Sequence, residues 1–268
     1  DRCHGAVLRD QAGKLSNVYA QSTLLATGGI GGLFSKTTNF AHLTGDAIAI
    51  ALKHGIRVKD LDYVQIHPTS LYTGRSGRAF LMSESLRGEG AILVGKDGQR
   101  FADELLPRDL LTKAIYTQME KDRLPYVRML LKGHVEGSIA GRFPGIHAHC
   151  LQEGYDLVED YIPVVPAQHY FMGGIAVDLN SKTSLANLYA AGETSCNGVH
   201  GKNRLASNSL LESLVFSKRA AQAIDKSFQC ALPYPFPEPD ARSIEAGLKE
   251  ANRKLLEEIG IEEEAHAK

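Results

Sequence analysis

Residues 200–221 read H-G-K-N-R-L-A-S-N-S-L-L-E-S-L-V-F-S-K-R-A-A, and the way the chain enters and leaves this stretch decides the fold class. Its first half, rich in Gly, Asn and Ser, reads as a loop. Its second half reads as a helix with Leu210, Leu211, Leu214, Val215 and Phe216 on one side. Ser207 or Asn208 is suited to cap that helix, because a short polar side chain accepts a bond from an unpaired N–H. A helix entered through such a loop aims free N–H groups forward and favours negative charge in front of it. Arg204, just before the helix, offers a planar fork for a carboxylate. The other reading is an ordinary strand–loop–helix turn with a solvated arginine, and the loop alone leaves both open.

Immediately upstream, A-N-L-Y-A-A-G-E-T (186–194) is strand-like and completes a strand–loop–helix unit. Further back, P-V-V-P-A-Q-H-Y-F-M-G-G-I-A-V-D (163–178) is also strand-like, with His169 flanked by prolines and by Gly173-Gly174. A lone histidine in a strand is either filler or, beside such glycines, a group facing a ligand. Residues 126–150 carry His134, His147 and His149. The H-A-H triplet resembles a metal pair on a strand, but no acid or cysteine cluster accompanies it at zinc-site spacing, so the three read as ordinary polar positions. A helix is expected from near Pro107, where the missing N–H costs nothing. Arg108 stands in its first turn, the wrong end of the dipole for a cation, which leaves it either an exposed arginine or one with another role. In V-Q-I-H-P-T-S-L-Y (64–72) the proline forces His67 into extended geometry and fixes its direction.

The N-terminal part reads as a β-meander over residues 5–26, with a turn at 12–14, whose last strand runs into T-G-G-I-G-G-L (27–33). Four glycines there permit close backbone approach, although the pattern matches neither G-x-G-x-x-G nor a P-loop. T-G-D (44–46) opens a helix that Gly55 stops, with Thr44 as expected cap and Asp46 as either a first-turn acid or a ligand. At the other end P-Y-P-F-P-E-P (233–239) reads as a stiff linker, and 243–267 as one amphipathic helix or two.

Bulk composition excludes several classes. Acid and base nearly cancel at net charge −1, so no nucleic-acid partner is implied. The longest aliphatic run, 47–52, is far too short to span a bilayer. The four cysteines are scattered without a C-x-x-C, which points to reduced thiols and a cytoplasmic setting.

Taken in order, A-T-G-G, T-G-D, Q-I-H-P-T, S-E-S-L-R-G-E-G, P-R-D, Q-H-Y-F-M-G-G-I, A-G-E and H-G-K-N-R-L-A-S-N-S-L-L-E resemble the flavoprotein family of succinate dehydrogenase, fumarate reductase and L-aspartate oxidase. The resemblance covers about residues 23–223, and the R-L-A-S-N-S-L-L-E form looks most like the aspartate-oxidising branch. It implies an α/β fold: residues 1–59 and 171–239 as parts of a Rossmann-like FAD-binding domain, 60–170 as an inserted α+β cap carrying the substrate groups, and 240–268 as the start of a helical domain.

The activity implied is FAD-dependent oxidation of L-aspartate to iminoaspartate by hydride transfer from Cα to flavin N5, feeding quinolinate and NAD synthesis, with oxygen or fumarate as electron acceptor. A succinate dehydrogenase or fumarate reductase flavoprotein is the alternative, and a non-catalytic dicarboxylate-binding module is a second. By resemblance, His67, Ser83, Glu84, His169 and Arg204 would bind the dicarboxylate, with Arg108 the catalytic proton carrier. Asp46, Glu193, Ser209 and Leu210 would touch FAD, and no metal is implied. The family's opening strand–G-x-G-x-x-G–helix unit has no counterpart here, so the chain reads as an internal fragment, expected alone to bind FAD weakly and not to turn over.

Overall fold

The computed structural model describes residues 2–75, 77–228 and 240–261. Seven helices lie among them: α1 (Asp46–Lys53), α2 (Glu84–Gly88), α3 (Arg108–Asp122), α4 (Ile139–Arg142), α5 (Pro144–Gln152), α6 (Asn208–Ser227) and α7 (Ala241–Ile259). The chain divides into two compact units: unit 1 is Asp1–Leu33, His42–Val64 and Tyr170–Lys268, and unit 2 is Phe34–Ala41 and Gln65–His169.

Unit 1 opens with a hairpin of Gly5–Arg9 against Leu15–Tyr19. The Asp10 carboxylate closes its turn by accepting from the N–H groups of Ala12 and Lys14 at 2.9 and 2.8 Å. The expected meander ends there. The third strand, Thr23–Leu25, does not join the hairpin but pairs in parallel with Leu188–Ala190. Local apolar spacing cannot reveal a partner so far along the chain, and a parallel pair requires a distant one. Gly174–Ala176 pairs in parallel with Ser195–Cys196 and antiparallel with Val58–Lys59.

α1 buries Ala47, Ile48, Ala49 and Ala51, and packs against α7, which buries Gly247, Ala251 and Leu255. Thr44 does not cap α1. The cap position is Gly45, in the left-handed region at φ 75°, and the Thr44 hydroxyl donates to Asp46 Oδ1 at 2.9 Å instead. Gly45 is required twice over, since a Cβ there would also stand 2.8 Å from Ile30 and 2.9 Å from Leu255.

α6 overturns the expected apolar face. Leu210, Leu211, Leu214 and Val215 are exposed, while Glu212, Phe216 and Ala220 are buried. The buried set recurs every four residues and so defines one helix face, and the leucines fall on another. Ser207 occupies the cap position in a left-handed conformation, with no capping bond from its side chain. The proline-rich stretch 233–239 lies outside the described residues.

Unit 2 is built on a six-stranded mixed sheet. Its order is Gly77–Arg78, Lys36–Thr37, Ile162–Phe171, Val127–Leu130, Ile92–Val94, with Val64–Leu71 also paired to Ile162–Phe171. Met82, Leu86, Leu93, Leu111, Ile115, Met129, Leu131 and Ile162 are almost fully buried in one apolar cluster. α3 starts at Arg108 after Pro107, as the proline signal implies, and covers the sheet with Leu111 and Ile115. The H-A-H triplet lies on α5, not on a strand. There His149 stacks on Phe80 and His147 sits 3.5 Å from Asp156. Cys3, Cys150 and Cys196 are free thiols. Among the described residues no helix is long and apolar enough to cross a membrane.

Candidate functional site

Unit 2 holds five of the candidate site residues, His67, Ser83, Glu84, Arg108 and His169. His67 stands on strand Val64–Leu71 and His169 on Ile162–Phe171, and their pairing brings the two rings to 5.2 Å in an edge-to-face arrangement. The His67 ring is anchored through Nδ1, 2.9 Å from the Thr69 carbonyl oxygen and 3.2 Å from its nitrogen, which leaves Nε2 as the other polar edge. His169 Nδ1 is 2.8 Å from the Thr38 hydroxyl. Burial, then the neighbouring His169, Arg108 and Arg87, hold the His67 pKa well below the ordinary imidazole value. The ring is therefore neutral near pH 7.

Arg108 is buried rather than exposed. Its Nη1 donates to Gln65 Oε1 at 2.7 Å and its Nη2 to Glu84 Oε2 at 2.6 Å. Glu84, on the first turn of α2, also stands 3.8 Å from Arg87 Nη2, so one carboxylate lies between two guanidinium groups. Arg87 is itself buried, and that burial lowers its pKa. Ser83 acts locally, its hydroxyl capping α2 by accepting from Ser85 N at 3.2 Å.

Sequence reading missed Gln65 and Arg87. Each lies within a motif already singled out, Q-I-H-P-T and S-E-S-L-R-G-E-G, but neither signals a role until Arg108 or Glu84 is seen beside it. Asn39 was missed too. It bonds Gln168 Oε1 at 2.9 Å and the His169 carbonyl at 3.0 Å, fixing the strand that carries His169.

Unit 1 holds the second set. The parallel strands Thr23–Leu25 and Leu188–Ala190 lead at their carboxyl ends into Thr27-Gly28-Gly29 and Ala191-Gly192-Glu193. The Thr27 and Thr194 hydroxyls meet at 2.9 Å. The Glu193 side chain lies flat on Gly29, where a Cβ would stand 2.6 Å from Oε1. Glu193 accepts from Phe171 N at 2.9 Å, yet burial outweighs that bond and raises its pKa to about 7. Arg204 is buried, its Nη1 reaching the Leu205 carbonyl at 3.3 Å and Ser209 Oγ at 3.4 Å, and its guanidinium lies 4.4 Å above the Tyr170 ring. Leu210 is exposed in the first turn of α6, and Asp46 is exposed in the first turn of α1. No cluster of three or more His, Cys, Asp or Glu side chains able to hold a metal ion occurs among the described residues.

Loops at the carboxyl ends of adjacent parallel strands, followed by a helix with an uncapped N-terminus, are where α/β folds bind anionic and nucleotide ligands. The chain matches the model of the FAD binding domain family over residues 1–210, and it belongs to that family. Its relatives include the L-aspartate oxidase of Clostridium perfringens, 54% identical over 226 residues, covering 84% of this chain and 51% of that one. The L-aspartate oxidase of Neisseria meningitidis serogroup B is 42% identical over 257 residues, covering 92% and 51%. Among solved structures, quinol fumarate reductase of E. coli superposes at a TM-score of 0.74 with 33% identity, covering 91% of this chain and 47% of that one. Mycobacterium smegmatis Sdh1 superposes at 0.69 with 30% identity, covering 88% and 41%. The chain thus spans about half the length of the curated relatives it matches.

The residues present fit an FAD. Gly29, where a Cβ would run into Glu193, the half-buried Glu193 carboxylate beside it, and the start of α6 without a side-chain cap offer such a group an acceptor and backbone N–H donors.

Proposed function

We propose that the protein to which this chain belongs is an FAD-dependent L-aspartate oxidase, a cytoplasmic enzyme of NAD biosynthesis, and that the chain carries both its substrate groups and part of its cofactor cradle. The observation that carries the reading is the buried Arg108, bonded to both Gln65 and Glu84 and neighbour to His67, whose neutral ring meets His169 edge-to-face. A four-carbon dicarboxylate needs fixed cations and uncharged donors, and a buried, doubly bonded guanidinium supplies the first without conformational cost. High identity to L-aspartate oxidases supports aspartate over succinate as substrate.

FAD, when bound, supplies the two-electron acceptor for the hydride leaving aspartate Cα. We assign to unit 1 the role of holding it: Glu193 for a ribose or ribityl hydroxyl, Asp46 for a further polar contact, and Ser209 with the Leu210 end of α6 for the electron-rich edge of the ring. Unit 2 is assigned the substrate-binding cap. His67 and His169 orient the dicarboxylate, His67 through a neutral ring, and the Ser83 hydroxyl adds a contact, while Arg204, in unit 1, is assigned a carboxylate. Arg108 is assigned the catalytic proton carrier: a guanidinium is a poor base and acts more readily as an acid toward fumarate. Glu84, 2.6 Å from Arg108 and 3.8 Å from Arg87, holds it in place within the substrate-binding set. Positioning is most of what such a transfer asks of the protein.

The test uses the full-length protein. Aspartate-dependent hydrogen peroxide formation, or aspartate-dependent fumarate reduction without oxygen, is expected, with succinate oxidised far more slowly. Efficient succinate oxidation would move the assignment to the dehydrogenase branch.

A further inference from the structure

Arg204 takes its place from a cluster that the reaction as proposed above does not use. The guanidinium lies 4.4 Å over the face of Tyr170, a residue buried at the end of strand Ile162–Phe171. The His200 ring meets the same tyrosine edge-on, at 5.5 Å and 87°. Behind them stands Glu212, 4% exposed, on the second turn of α6. Asn197 Nδ2 donates to Glu212 Oε1, and His200 Nε2 is 3.5 Å from Oε2. The Asn197 amide cannot turn away, because its Oδ1 accepts from Val199 N at 2.9 Å.

A buried acid is costly unless it is hydrogen-bonded or paired, and Asn197 and His200 face this one. The Glu212 charge is felt at Tyr170, whose hydroxyl is held protonated by burial first and then by Glu212 and Glu193. The ring can therefore act only as a neutral slab, with its electron-rich face toward Arg204. A long, flexible arginine loses little on binding a carboxylate if its plane is already set.

We propose that Tyr170 and Glu212 are positioning residues for Arg204: the ring fixes the plane of the guanidinium, and the buried Glu212, held by Asn197, keeps His200 against the edge of that ring. The inference rests on the assignment of Arg204 to a substrate carboxylate.

The test compares Tyr170→Phe, Tyr170→Leu and Glu212→Gln in the full-length, FAD-loaded protein. Two readouts are followed: the Arg204 side-chain Nε–H resonance in arginine-labelled protein, and the Kd for succinate from its perturbation of the flavin spectrum. In Tyr170→Phe the ring-shifted resonance persists and Kd stays within about threefold. In Tyr170→Leu the resonance moves toward its unfolded-chain position, and Kd and KM rise about tenfold, with a smaller change in kcat, the pattern of lost uniform binding. Glu212→Gln has the same direction. In an Arg204→Leu background, Tyr170→Leu adds less than about twofold.

An Arg204 resonance unmoved by both Tyr170→Leu and Glu212→Gln overturns the inference, as does full additivity of the Tyr170 and Arg204 substitutions. If Glu212→Gln fails to fold, the two tyrosine variants decide. A protein that oxidises no aspartate overturns the proposed reaction instead, and the resonance still decides the positioning.

Discussion

At the residue scale, the chemistry follows from what burial does to a few charged groups. Arg108 sits at the start of α3, where the helix dipole disfavours it, yet it is buried and bonded to Glu84 and Gln65. Arg108→Leu is expected to lower turnover of the full-length protein about a hundred- to ten-thousand-fold with a much smaller loss of dicarboxylate binding, which the histidines and Arg204 also supply, measured by kcat against spectroscopic Kd. A pure binding module has no turnover to lose. Glu193 has a folded pKa of about 7, above its unfolded value, so the folded state holds the extra proton. Its stabilising effect is full below about pH 4.5 and is lost as pH rises through 7, worth up to about 3 kcal/mol. Glu193→Gln should flatten that slope and make the protein more stable than wild type at pH 8, measured by urea unfolding across pH. His67 has the opposite sign: its pKa is depressed, so protonation below its ordinary value works against the fold. Its ring resonances should hold the neutral pattern from pH 8 to 6, and a titration centred near 6.5 would refute the burial argument.

At the element scale, α1 and α7 pack through small residues, and Gly45 admits Leu255 where a side chain could not fit. Gly45→Ala combines an unfavourable positive φ with contacts under 3 Å, and should cost about 1–3 kcal/mol, read as a lower urea midpoint with unchanged m. The exposed leucines of α6 are a different matter. Leu210 and Leu214 are each 73% exposed, so replacing Leu214 by Gln should shift the stability of this chain by less than about 0.5 kcal/mol. Binary pattern correctly gave α6 its helical period. It failed on orientation because the face that is buried carries a glutamate, Glu212, that no hydrophobic count would choose.

At the scale of the molecule, two compact units each bury their own apolar side chains. Leu111→Ala removes a fully buried side chain from unit 2 and should cost about 2–5 kcal/mol there. Hydrogen exchange should then show lost protection at Met129 while Ile48 in unit 1 changes little. The ordered motifs, the helix starts at Pro107 and Asn208 and the hairpin at 12–14 were legible in the chain, because short-range propensity and motif order are written locally, while His67, Glu84, Arg108, His169 and Arg204 came with the resemblance and stand as proposals. Gln65, Arg87, Asn39, Tyr170 and Glu212 were not legible as partners, nor was the parallel pairing of Thr23–Leu25 with Leu188–Ala190. By itself the sequence determined the family, the cofactor class and the order of the motifs that hold the candidate charged side chains. Only the tertiary structure decided which of those charges are buried, what each one leans on and therefore which are neutral, because desolvation and pairing depend on neighbours far away along the chain.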